Sequence, residues 1–197
     1  MKQYKQIWYI SDLHLGHACI ISLEGRPFKN LDVMKEVLTR NICNKIDKHD
    51  LLVVVGDLSA NIADHNEFAK RILCDKILVY GNHDWEIHKR FSYEKQLWKN
   101  IVPILKLKDK GRTVMVSHFP LEVWCGKSHP AYHVHGHTHN LEYTHKIGRF
   151  NAFCGLHDWG PTTLNDMIAK QQEEIYLPSR LNEYKPNYAI YNLNSSK

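Results

Sequence analysis

Leu51-Leu52-Val53-Val54-Val55-Gly56-Asp57 runs five apolar residues into one glycine and then a carboxylate. The run is short and rich in β-branched side chains, so it reads as a strand buried on both faces, as strands in a parallel sheet are. Working outward, the same order recurs. Ile7-Trp8-Tyr9-Ile10-Ser11 leads to Asp12, and Ile77-Leu78-Val79-Tyr80-Gly81 leads to Asn82. Val114-Met115-Val116-Ser117 leads to His118, and Tyr132-His133-Val134-His135-Gly136 leads to His137. Sites in open α/β sheets assemble at the carboxyl ends of strands. Five runs that each end in Asp, Asn or His therefore suggest one metal centre fed by several strands.

Between the first two strands, Leu31 to Ile46 carries Val33, Met34, Val37, Leu38, Ile42 and Ile46 at helical spacing, with Asn30 or Asp32 as its cap. A shorter helix fits Asn66 to Leu73, with Phe68, Ala69, Ile72 and Leu73 inward. Glu86 to Trp98 is a further helical candidate. Thr163-Leu164-Asn165-Asp166 resembles a capping box that opens a helix through about Gln172. Strand–helix alternation in the first half argues for an α/β core with parallel pairing. From Ile101 onward the chain is strand-rich, with Lys110-Gly111-Arg112 as a turn between two strands. The 197 residues suit a single domain, with Pro178 to Lys197 as a peripheral tail or an extra edge strand.

Composition narrows the class. An apolar content of 43% with mixed charge is that of a folded soluble protein. No apolar run approaches the roughly 20 residues of a membrane span, and Met1 to Gln6 lacks the apolar core of a signal peptide. Five cysteines at wide spacing form no CxxC pair, which suits the cytoplasm and small buried thiols. A net charge of +5 favours anionic ligands, yet no basic tract marks a nucleic-acid arm. The unusual quantity is 14 histidines, four of them alternating as His133, His135, His137 and His139. Imidazole is the commonest metal ligand and the usual acid–base group near neutral pH.

Asp12 and His14, two apart at a strand terminus, leave the same side of the chain. With Asp57, Asn82, His118, His137 and His139 they make two carboxylates, one amide and four histidines, too many for one four-coordinate zinc. Two ions that share a bridging carboxylate fit the count. Mixed nitrogen and oxygen donors without thiolates suit Mn, Fe, Zn or Ni.

Asp12-Leu13-His14, Gly56-Asp57, Gly81-Asn82-His83-Asp84, Ser117-His118 and Gly136-His137-Thr138-His139 together resemble the ordered signature of calcineurin-like metallophosphoesterases. Any one block is common; all five in order are specific. The resemblance implies an αββα sandwich, two mixed β-sheets packed face to face and flanked by helices. It implies two divalent transition-metal ions, with manganese favoured for activity. Asp12, His14, Asp57 and His139 would hold one ion, and Asp57, Asn82, His118 and His137 the other. It also implies hydrolysis of a phosphate ester by metal-activated water, whose pKa falls from about 15.7 to about 7 on coordination. His83 would protonate the leaving oxygen, with Asp84 orienting its ring. Gly16-His17-Ala18-Cys19-Ile20-Ile21 and Arg26-Pro27-Phe28 resemble a subgroup of compact stand-alone bacterial and phage members, in which His17 and Arg26 would face the substrate. After Asp57 the chain reads Leu58-Ser59-Ala60-Asn61, without the further acidic residue of many members.

Phosphodiesters are the favoured substrates, because few insertions leave an open site. Phosphomonoesters or phosphoproteins form the first rival class and nucleic acids the second; a scaffold without turnover is the third. No membrane partner is expected, and the oligomeric state is not legible. The competing reading of the seven donors is that they cap strand ends by hydrogen bonding, which suits one of them better than all. His133 and His135, inside a strand, read as packed rather than ligating. His49, His65 and His88 read as solvated, and His129, His145 and His157 as surface or rim. Trp85, Trp124 and Trp159 read as core. Gly126-Lys127-Ser128 lacks the first glycine of a phosphate-binding loop, and no G-x-S-x-G elbow occurs.

Overall fold

A computed structural model describes residues 3–84, 95–126, 131–141 and 146–176. Four strands form one wholly parallel sheet in the order β1 (Ile7–Ile10), β2 (Leu51–Val54), β3 (Asp75–Val79), β4 (Asn100–Val102). The second sheet runs β5 (Ile104–Asp109), β6 (Arg112–Ser117), β7 (Ala131–His135), β8 (Arg149–Asn151). Here β5 and β6 form an antiparallel hairpin, while β6, β7 and β8 are parallel. The hairpin turns through Lys110 and Gly111, both at positive φ (47° and 84°), as a two-residue turn matched to strand twist requires.

The continuous apolar runs are explained by burial on both faces. Leu51, Val53 and Val55 point to the second sheet and meet Val114, Val116, Val134 and Phe150. Leu52 and Val54 point the other way, onto α2 (Leu31–Lys45) and α3 (Ile62–Arg71), against Met34, Val37, Leu38 and Phe68. Each fully buried Val or Leu contributes about 1.5–3 kcal/mol relative to exposure. The chain thus forms an αββα sandwich whose strand ends, not its faces, are free to carry chemistry.

Caps set the helix boundaries. Asn30 accepts from the Val33 amide at 2.9 Å and starts α2. Asn61 does the same for Asp64 at 2.9 Å, so α3 begins four residues before the expected Asn66. That earlier start turns His65 inward with Phe68 and Ala69, so His65 is buried against Trp98 rather than solvated. Thr163 and Asp166 cap one another's backbone at the start of α4 (Leu164–Tyr176). A short helix, α1 (Ile20–Glu24), precedes α2 and was not expected. Cys74 and Cys154 are buried as small apolar side chains, but Cys19, Cys43 and Cys125 are exposed, which corrects the expectation for those three. Trp124 and Trp159 are core. Of the helical candidate Glu86 to Trp98, residues 86–94 lie outside the described residues and Lys95–Leu97 forms one 3-10 turn; the tail at 178–197, and Trp85, His88, His129 and His145 also lie outside them.

Candidate metal centre

Parallel order brings the carboxyl ends of β1, β2 and β3 to one edge, and β6 and β7 arrive there from the other sheet. Hydrogen bonds from the Ser11 backbone N–H to the Ala152 carbonyl (2.9 Å) and between the His118 ring and the Val55 carbonyl (2.9 Å) tie the sheets together at that end. Small residues make the approach feasible. A Cβ on Gly56, itself at φ +87°, would lie 2.2 Å from His118 Nδ1, and one on Gly136 would lie 2.6 Å from Asp12 Oδ2. Five of the seven candidate donors sit in left-handed backbone: Asp12 (φ 57°), His14 (52°), Asp57 (52°), His137 (69°) and His139 (48°). Asp and His tolerate that region better than most residues.

The donors converge in three groups: Asp12, His14 and His139; Asp57, His118 and His137; and His14, Asp57 and His83. Within each, one donor atom per residue lies within 4.8 Å of the others. Asp57 occurs in two groups. Its Oδ2 is 3.3 Å from His118 Nε2, 3.8 Å from His14 Nε2 and 3.9 Å from His83 Nε2. Asn82 Oδ1 is 3.2 Å from His118 Nε2. His14 Nε2 faces His139 Nε2 at 3.2 Å. Two imidazole nitrogens so placed repel unless a proton or a cation lies between them, so the donor set fits a shared divalent ion.

The charge balance agrees with this. Burial pushes the Asp57 carboxyl up, but the His118 hydrogen bond and charge outweigh it and hold it at about 2. Burial likewise raises Asp12, and His139 and His118 bring it below the usual carboxylate range. His14 falls to about 4 because burial disfavours its cation. His139 rises to about 9 against burial, because Asp12 and Glu24 both accept from it. His118 is raised through Asp57 despite burial. The centre is thus dense in ionised carboxylates, with the His14 ring held neutral and the His118 and His139 rings favoured as cations, whose protons a bound metal would replace.

His83 stands at the open side, its side chain 42% exposed, with its backbone N–H donating to Asp57 Oδ1 at 2.9 Å. His17 lies beside the centre, its ring 5.5 Å from those of both His14 and His83. Two expected roles need correction. Arg26 does not face a substrate: its buried guanidinium donates to the carbonyls of Leu13 and Asp12 at 2.9 Å each and to Glu24 at 2.8 Å. Asp84 does not orient the His83 ring. Its carboxylate accepts the backbone N–H of Asp57 (2.7 Å), Gly81 (2.9 Å) and Leu58 (3.0 Å), stitching together the loops after β2 and β3. Burial raises it to about 6 in spite of those donors. His133 and His135 are packed and bonded to the carbonyls of Met115 and Gly136, as expected. His157 is partly buried and bonded to the Asn151 carbonyl. The contact between Glu24 and His139 Nδ1 has no signal in the sequence.

A sequence model described as calcineurin-like phosphoesterase matches residues 5–141. An uncharacterised protein of Methanocaldococcus jannaschii is 35% identical over 83 residues, covering 41% of this chain and 47% of that protein. The match thus spans about half the length of that curated relative. Among solved structures, a protein of unknown function from Aquifex aeolicus superimposes with a TM-score of 0.65 at 24% identity, over 83% of this chain and 97% of that one. That likeness shows a common fold. A phosphoesterase from E. coli aligns with a TM-score of 0.38 at 14% identity, over 75% of this chain and 77% of that one.

Proposed function

The chain belongs to the calcineurin-like phosphoesterase family, and on that premise we propose that it hydrolyses phosphate esters, phosphodiesters by preference, with two divalent transition-metal ions. The observation that carries the reading is the position of Asp57, whose carboxylate is shared by two converging donor groups from both sheets. Asp12, His14, Asp57 and His139 would hold one ion, and Asp57, Asn82, His118 and His137 the other. Bound cations at this centre supply Lewis acidity toward phosphoryl oxygens and lower the pKa of water. Manganese is the proposed ion for activity.

The chain's own residues complete the chemistry. His83, exposed at the rim, is placed to give a proton to the leaving oxygen, an effect of about 10²–10⁴ in rate. His17, its ring 5.5 Å from that of His83, is a further group for a phosphate oxygen. Asn82, His83 and His137 are all exposed, so the rim admits a phosphate carrying two organic substituents, which supports the diester preference. Among the described residues no helix is long and apolar enough to cross a membrane. We place the protein in the cytoplasm, where the exposed thiols of Cys19, Cys43 and Cys125 stay reduced.

The test compares hydrolysis of bis-(p-nitrophenyl) phosphate and p-nitrophenyl phosphate with Mn²⁺, followed by cyclic nucleotides, dinucleotides and oligonucleotides. Faster turnover of the diester is expected, and a strong monoester preference overturns that part. Steep salt dependence of oligonucleotide binding would move the substrate toward nucleic acid. No bound transition metal and no turnover of either ester would overturn the enzyme reading.

A further inference from the structure

Glu24 closes α1 at a point where the chain turns back on itself. Gly25 follows at φ 60°, and the Arg26 amide returns to the Ile21 carbonyl at 2.9 Å. This sends the Glu24 side chain toward the strand ends, where it is 14% exposed and bonded to Nδ1 of His139. Its other oxygen accepts from Arg26 Nε at 2.8 Å. Arg26 is anchored in turn on the backbone of Asp12 and Leu13. The His139 ring also lies flat on Phe153, with centroids 5.0 Å apart and planes 13° apart. One edge and one face of the ring are therefore held, and the opposite edge presents Nε2 to Asp12 Oδ1 at 3.3 Å and to His14 Nε2 at 3.2 Å.

We infer that Glu24 is a positioning residue that fixes the ring and tautomer of His139 for metal binding. The inference rests on the reading of His139 as a metal donor. A neutral imidazole carries one N–H, and a carboxylate can only accept, so Glu24 holds that hydrogen on Nδ1 and leaves the Nε2 lone pair toward the ion. Glu24 itself is outside the converging donor groups found among the described residues, so it acts through His139 and not as a ligand. Arg26 holds the carboxylate from behind, and the same side chain grips the loop bearing Asp12. Outer partners of metal-binding histidines are worth about 10–100-fold in metal affinity or activity.

The test uses the full chain with three substitutions that separate hydrogen-bond geometry from charge. Glu24→Gln keeps the reach and an accepting oxygen but loses the charge. Glu24→Asp keeps the charge but is one methylene too short, and Glu24→Ala removes both. Mn²⁺ affinity is measured by competition with a fluorescent chelator, and the His139 tautomer by long-range ¹H–¹⁵N imidazole spectra of the Zn²⁺-loaded protein. We expect Glu24→Ala and Glu24→Asp to weaken Mn²⁺ binding by about 10–100-fold and Glu24→Gln by less than about tenfold. The Nδ1–H signal of His139 should persist in Glu24→Gln and shift or vanish in the other two. A residue that only supported the fold would lower the melting temperature without that order in affinity or that spectral change. Binding within twofold of wild type in Glu24→Asp, or a greater loss in Glu24→Gln than in Glu24→Asp, overturns the inference, and this pair decides it should Glu24→Ala not fold. A wild-type protein that takes up no Mn²⁺ would instead remove the metal-centre reading beneath it.

Discussion

Gly56→Ala tests whether close approach between the two sheets builds the centre. Gly56 lies at φ +87°, and a methyl group there would sit 2.2 Å from His118 Nδ1 and 2.9 Å from the Gly81 amide nitrogen. Three costs arise together. An L-residue in left-handed backbone costs about 1–2 kcal/mol. His118 must leave its 2.9 Å bond to the Val55 carbonyl, a net loss of about 1 kcal/mol. The buried carbonyl left behind costs about 1–3 kcal/mol more. The expected destabilisation is about 3–6 kcal/mol, a large share of the roughly 5–15 kcal/mol of an ordinary domain. Urea unfolding of the metal-free protein measures it, and Mn²⁺ titration should show one site lost with His118. Gly111→Ala is the internal control: at φ +84° with nothing within 4 Å, it bears only the backbone cost. Equal losses at the two glycines, with Mn²⁺ binding unchanged in Gly56→Ala, would refute the reasoning.

Asp57→Asn should abolish most metal uptake and nearly all turnover, read by elemental analysis and ester hydrolysis. His83→Ala should keep its metal content while kcat falls by about 10²–10⁴; loss of metal would reassign His83 as a ligand. Asp84→Asn puts an amide NH₂ toward at least one of three backbone N–H groups that the carboxylate now accepts. Chemical unfolding should show a loss of about 1–3 kcal/mol, and a neutral effect would show that the loops hold without it. His65 is held neutral by burial, its pKa lowered from 6.5 to about 4. Only the unfolded chain takes up this proton between those values, so His65 lowers stability by about 3 kcal/mol as pH falls from 6.5 to 4. His65→Gln should lose less stability than wild type over that window, and parallel stability curves would contradict it.

The strands that reach the centre were legible because burial on both faces leaves a continuous apolar run and the donor follows at once. β4 and β8, three residues each, carry no such run and owe their place to neighbours. α1 was invisible for a related reason: only Ile20 of its five residues is buried, so no apolar stripe forms. α3 was read late because Phe68 and Ala69 mark its middle, while its start depends on a single cap, Asn61. At the site, residue type and order sufficed to pick out the side chains that the fold brings together. They did not suffice for Arg26 and Asp84, since a guanidinium or a carboxylate binds backbone as readily as substrate. Only the fold shows that Arg26 lies under Asp12 and that Asp84 faces three converging amides. Glu24 shares this limitation, because its contact joins α1 to a loop more than 100 residues further along.

The left-handed backbone at Asp12, His14, Asp57, His137 and His139 has an evolutionary consequence. Glycine adopts that conformation without penalty, so the peptide geometry at each position favours a residue with no donor side chain. Selection for heat tolerance alone would push against the donors themselves, whereas selection for turnover holds them in place. A lineage freed from the need to cleave its ester should therefore drift to Gly at these positions early, while the buried valines of β2 stay as they are.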